Sequence, residues 1–286
     1  MDSSSPEGGI LTAERREESP IEARAPAGLV LDPAARRAFT HAMAESRARV
    51  PSLLWLWAGP AIVMAQIAAK AFDPAVYRRW MRSETGLVEN LTVAFLAGAI
   101  VCALLCRRLR GRVRWRPFGP LLLVAAAGLL FFAGEEVSWG QHWLGFEPPE
   151  QIAARNEQQE FNLHNDPLLE TVLDQLPRLL LTLVALGAGV VAPLVRRSRG
   201  LAGRGTGSRG PFGWAWPTLE CFPAALLVVV VALPKKVYAL LDRPMPGALD
   251  ISPGETKEYC LALFLLVYLW SLYLDLRRAG PAPRAG

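Results

Sequence analysis

Apolar residues fall in six long runs along this chain, separated by charged, Gly-rich or Pro-rich stretches. The runs are Leu53 to Ala69, Leu87 to Cys106, Phe118 to Phe132, Leu179 to Val195, Trp214 to Leu233 and Tyr259 to Leu276. A helix needs roughly 20 mostly apolar residues to cross a hydrocarbon core of about 30 Å. Lipid offers nothing to satisfy backbone N–H and C=O groups, so the runs are predicted to be helices and not open strands. The third and fourth runs are short and adjoin polar sequence, so their helices are expected to continue beyond the hydrocarbon. The pattern predicts an all-α polytopic membrane helix bundle of about six transmembrane helices over residues 51–278.

The flanks and loops set the expected orientation. Residues 1–32 are rich in Ser, Pro, Glu and Arg and are predicted to be a disordered cytoplasmic N-terminus. They lack an apolar core after a basic start, so they do not read as a signal peptide. Asp32-Pro33 has the form of a helix start, and residues 33–50, with Arg36, Arg37, Arg47 and Arg49, are predicted to form a cytoplasmic interfacial helix. Arginines cluster at 107–116, at 196–209 and after the sixth run, in alternate loops. Positive residues favour the cytoplasmic side. Both termini, including a tail at 279–286, are therefore expected inside, in a plasma (inner) membrane. The stretches Lys70 to Thr85, Gly134 to Arg178 and Pro234 to Glu258 are expected outside.

Composition agrees with this picture. The 286 residues are 52% hydrophobic and 20% charged, and the formal charge of +5 comes mostly from Arg in short clusters between apolar runs. Those clusters hold a single Trp rather than the repeated aromatics of a nucleic-acid groove, so no nucleic-acid partner is expected; the partner is the lipid bilayer. Abundant Ala, Arg, Gly and Pro with little Lys suggests a GC-rich bacterial genome. Cys102, Cys106, Cys221 and Cys260 show no CxxC or zinc-type spacing and read as small packing residues.

Candidate chemistry concentrates in the outer loop at 134–178. Glu135-Glu136 is followed by Ser138, Trp139, Gln141 and His142; further on come Glu157, Glu160, Asn162, His164 and Asn165. If the third helix continues past Gly134, then Glu135, Ser138 and His142 share one face. Glu160 and His164 have the i, i+4 spacing at which two side chains bind one metal ion, zinc being a candidate, with Glu136 completing the set. Glu135 or Glu136 is the candidate general base, with Ser138 and His142 as catalytic partners. Trp139, Gln141, Asn162 and Asn165 are candidate substrate contacts. Pro149-Glu150 is expected to open a helix through about Gln159. Glu84, Glu89, Asn90, Asp250, Glu255 and Glu258 add polar groups at the outer ends of other spans, and Glu170, Asp174 and Arg178 form a stripe that reads as an ion-pair ladder.

The runs at 134–141 (GEEVSWGQ) and 156–165 (NEQQEFNLHN), with ETGLVENLT at 84–92, resemble signatures of uncharacterised polytopic membrane proteins of bacteria. That resemblance covers most of the membrane region and implies topology more than chemistry. Glu135-Glu136 is also similar to the acidic pair of membrane-embedded glutamate proteases of the CAAX-processing type. The chain departs from that pattern in having Trp139 and Gly140 where an Arg follows the pair, and in the shorter spacing of Phe161 to His164.

Three function classes follow. One is a Glu/His, metal-assisted hydrolase or transferase acting on a lipid, lipid-linked or membrane-peptide substrate at the extracytoplasmic face. Another is a non-catalytic membrane protein whose polar cap binds a partner. A transporter finds less support, because spans one to three and six lack ionisable residues in their apolar cores, Glu220 near the inner end of span five being the main exception.

Overall fold

The computed structural model describes residues 50–278 except 84, 157–158, 164–165, 167, 170 and 199–215. The expected N-terminal disorder, the interfacial helix at 33–49 and the tail at 279–286 lie outside the described residues. Among those described there is no strand, and six helices are long and apolar enough to cross a membrane. They are α1 (Leu53–Phe72), α2 (Leu87–Arg108), α3 (Phe118–Glu136), α4 (Thr171–Val195), α5 (Leu219–Leu240) and α6, whose regular part is Pro253–Arg278 within the segment Gly247–Arg278. The chain is a multi-pass membrane protein of the all-α class.

The helix α6 is the centre of the bundle: 67% of its apolar stretch is buried, against 17–33% for the others. Its two sides pack into two separate cores. On one side Leu266, Leu269, Leu272 and Leu276 meet Leu96, Ala99, Ala103 and Cys106 of α2 and Leu122, Ala126, Leu129 and Ala133 of α3. On the other side Cys260, Leu263, Phe264 and Val267 meet Trp55 and Ile62 of α1, Ala185 of α4, and Ala224, Ala225 and Val228 of α5. The inward positions recur every three or four residues, as a helix stripe requires. Small residues let the helices approach, which is how spans associate where lipid tails are as apolar as leucine. The outward leucines and valines of α4, such as Leu179, Leu183 and Val191, are exposed and suit contact with lipid tails.

Gly189 marks the tightest crossing. A Cβ there would lie 2.5 Å from Ala225 Cβ of α5 and 2.8 Å from Phe264 of α6. Gly189→Ala is expected to push α4 outward at a cost of about 1–3 kcal/mol, read as a lower thermal midpoint. Ala225→Gly in the same chain should recover part of the loss.

Several helix ends differ from the sequence expectation. The fifth span ends at Leu240 and not Leu233, so Lys235 and Lys236 lie on helix α5 rather than in a loop. Pro234 interrupts the helix at Val231–Ala232 without ending it, because the apolar pattern resumes at Val237 and the lysine side chains stay exposed. Trp214 lies outside the described residues. Pro149 opens only a single helical turn, Glu150–Ala153, and not a helix to Gln159. Asn156 instead turns its side chain onto Asn162, which bends the chain back.

At the end of the bundle opposite the arginine loop at 107–116, α1 is fastened to the start of α6. Gln66 Nε2 donates to Thr256 Oγ1 at 3.0 Å, and the Tyr77 hydroxyl accepts from Ser252 N at 2.8 Å. The Lys70 ammonium reaches the Asp250 carbonyl and lies 3.4 Å from its carboxylate. This is the end that carries the polar loop.

Candidate functional site

The helix α3 does not run on through Ser138. It ends at Glu136, and Ser138 (φ 45°), Trp139 (φ 53°) and Gly140 (φ 88°) follow in left-handed backbone. That is costly for Ser and Trp and fits Gly. The reversal folds the Trp139 ring back onto the end of α3, edge-on to Phe131. Gly134 makes room, since a Cβ there would sit 2.9 Å from three carbons of that ring. The expectation that Glu135, Ser138 and His142 stack on one helical stripe is corrected accordingly: the helix ends before Ser138.

The turn brings the loop's polar residues together by a different route. The Glu160 carboxylate, almost wholly buried, is the hub. Its Oε2 accepts from Ser138 Oγ at 2.9 Å and from Asn162 Nδ2 at 2.6 Å, while its Oε1 stands 3.1 Å from His142 Nε2. Asn162 also donates to Ser138 Oγ, at 3.0 Å. Asn156 holds the other side: its Nδ2 donates to Asn162 Oδ1 at 2.7 Å and its Oδ1 accepts from Glu160 N at 3.2 Å. Ser138, Asn156, Glu160 and Asn162 are each less than 7% exposed, whereas the His142 side chain is 24% exposed. The imidazole is thus the outward face of an otherwise buried polar knot, satisfied internally as buried polar groups must be.

Glu135 serves the same knot as a bracket. One carboxylate oxygen accepts from Trp139 Nε1 at 2.7 Å, the other from Leu163 N at 2.7 Å. Gln141 Oε1 accepts from Phe161 N at 2.6 Å, and Phe161 packs edge-on to Phe146. Arg155 closes the far end through a 2.8 Å ion pair with Asp166. Of the sequence candidates, Glu135, Ser138, Trp139, Gln141, His142, Glu160 and Asn162 therefore meet in one network. Glu157, His164 and Asn165 lie outside the described residues.

The neighbouring Glu136 faces elsewhere. The charges that act on it are Glu258 and Glu255 of α6, Glu89 of α2 and Arg178 of α4. It belongs to an inter-helix charge cluster in which Arg178 Nη2 binds Asp174 Oδ1 at 2.5 Å and also reaches Glu258. Arg82 lies 3.9 Å from Glu255. Lys257 sits among Arg178, Lys236, Glu258 and Asp174. The acidic pair thus divides between two sites, and Glu136 does not take its charged neighbours from the Glu160 network. Among the described residues, no three His, Cys, Asp or Glu side chains stand together as a metal-binding set. Glu170, the first rung of the expected ladder, and Glu84 lie outside the described residues.

Two participants escaped the sequence reading. Asn156 bonds Asn162 six residues on, a distance that matches no helical spacing. The partner of Arg178 on α6, Glu258, is 80 residues away in sequence, and only Asp174, at i−4, was readable locally. In comparisons with known proteins, no family model matches the chain. No curated protein and no solved structure matches it either.

Proposed function

We propose that this membrane protein is a hydrolase or transferase acting at the extracytoplasmic surface, with His142 as general base and Glu160 as its orienting carboxylate. The observation that carries the reading is the pairing itself: a part-exposed imidazole backed at 3.1 Å by a buried carboxylate. A carboxylate so placed orients the ring and stabilises the imidazolium formed when it takes a proton. Ser138 gives its hydrogen bond to Glu160, which makes it a positioning residue. The nucleophile in this reading is water or a substrate hydroxyl. His142 takes its proton as the oxygen bonds to the scissile carbonyl or phosphoryl centre; the bond from that centre to the leaving group then breaks, and His142 returns the proton to the departing atom. Trp139, Trp143, Leu144 and Phe146, close to His142 in sequence, are exposed. These side chains suit an amphiphile: a lipid, a lipid-linked compound or a membrane peptide.

The test is turnover of ester- and amide-bearing lipids by the purified chain in nanodiscs. His142→Ala is expected to lower kcat by about 10²–10⁴-fold, the chain still folding with an unfolding midpoint lowered by the lost Glu160 contact. Equal turnover by the variant would remove the proposal.

A second reading, a non-catalytic cap that binds a partner, draws on one observation: both oxygens of Glu135 and both of Glu160 already hold partners within the loop. Absence of turnover together with a co-purifying protein, lost on replacing Trp143, favours that reading.

A further inference from the structure

We propose that the arginine-rich end of the bundle, opposite the polar knot, is a binding site for the phosphate of anionic lipids in the cytoplasmic leaflet. Arg107, Arg108, Arg110, Arg112, Arg114 and Arg116 join α2 to α3, and Arg277 and Arg278 end α6. Across 101–118 and 270–278 the only carboxylate is Asp275. These two segments thus hold eight arginines and one acid.

The fold makes this a fixed surface. Arg112 Nη1 donates to the carbonyls of Leu276 at 2.6 Å and Arg277 at 2.8 Å, pinning the loop to the C-terminus of α6. Val113 is buried, and Trp115 packs against the core shared by α2, α3 and α6. The stem of Arg110 lies over Gly119 at the start of α3, where a Cβ would stand 3.0 Å from Arg110 Cδ. Arg112 is therefore committed to the protein, and the loop around it is anchored on both sides.

Arg108, Arg110, Arg116 and Arg277 are exposed and form no ion pair with a carboxylate among the described residues. Arg107 Nε is buried with no hydrogen-bond partner among them. A buried charged donor lacking an acceptor is costly, and guanidinium groups match phosphate oxygens in geometry and charge. Basic clusters immediately cytoplasmic of a membrane helix are attracted to an anionic leaflet. A phosphodiester headgroup at this level supplies the counter-charge to the exposed guanidinium groups.

Lipid retention by the full chain, measured by native mass spectrometry with phosphatidylglycerol and phosphatidylcholine, tests this. The chain is expected to retain phosphatidylglycerol in preference. The triple variant Arg108→Gln/Arg110→Gln/Arg116→Gln should weaken that retention about tenfold or more, while the corresponding lysine triple keeps most of it. Arg78→Gln/Arg79→Gln, at the other end, should leave it unchanged, and thermal midpoints show that each variant is folded. Equal retention of the two lipids, or an unaffected glutamine triple, would overturn the proposal. Displacement of phosphatidylglycerol by equimolar glycerol phosphate would overturn the lipid assignment in favour of a soluble phosphate ester.

Discussion

Replacing Glu160 by glutamine is expected to be the most damaging single change in the polar loop. The side chain keeps its shape, but one carboxylate oxygen becomes an NH2 group that cannot accept, so either the Ser138 and Asn162 bonds or the His142 contact is lost. The buried donors now meeting the carboxylate form charge-assisted bonds, each worth about 1.5–3 kcal/mol. These bonds share one acceptor and are not additive. A net loss of about 3 kcal/mol is expected, which for a chain of this size lowers the unfolding midpoint by roughly 6–12 °C. Turnover, if the proposed chemistry holds, should fall by about 10²–10⁴-fold, because His142 loses the group that stabilises its protonated form. Thermal unfolding and kinetics on one preparation check both parts. Asn162→Asp provides the reverse perturbation: it sets a second carboxylate against Glu160 and should also destabilise the loop.

Arg178→Met is expected to have the next largest effect. It removes the cation that binds Asp174 and Glu258 and acts on Glu136. Removing one partner of a buried pair costs about 3–5 kcal/mol. The Arg178 side chain is 31% exposed, so solvent screening reduces this to about 2–3 kcal/mol. The loss should be partly repaired by Glu258→Gln in the same chain, since neutralising a carboxylate relieves the uncompensated charge. A double-mutant cycle measures the coupling, expected at about 0.5–3 kcal/mol for groups in contact. Strict additivity would mean that α4 and α6 are not joined here.

Both effects show what a linear sequence displays and what it hides. The six spans were legible because lipid demands long apolar runs, and α2 begins at Leu87 and α3 at Phe118 as the hydropathy pattern places them. Helix ends were less legible, since they rest on local exceptions. Pro234 interrupts α5 without stopping it. Ser138 and Trp139 adopt a left-handed conformation that nothing in their identity requires; only the glycine at 134 hints at the ring folded over it. Once α3 ends there, i+3 and i+4 reasoning no longer relates Glu135 to His142. Helical spacing ties Glu160 to His164, which lies outside the described residues, whereas the fold links Glu160 to His142, 18 positions earlier. The divergence of Glu135 and Glu136 was half visible, because adjacent residues on a helix face different ways. Which helices each would meet depends on packing around α6.

The joining of Ser138 and His142 to Glu160 across the loop is the feature from which the functional reading grows. A double-mutant cycle between His142→Ala and Glu160→Gln, followed by thermal unfolding in one detergent, tests it most directly. The geometry predicts a coupling of about 0.5–3 kcal/mol, with the second substitution costing far less once the first is made. Two independent, additive losses would contradict it.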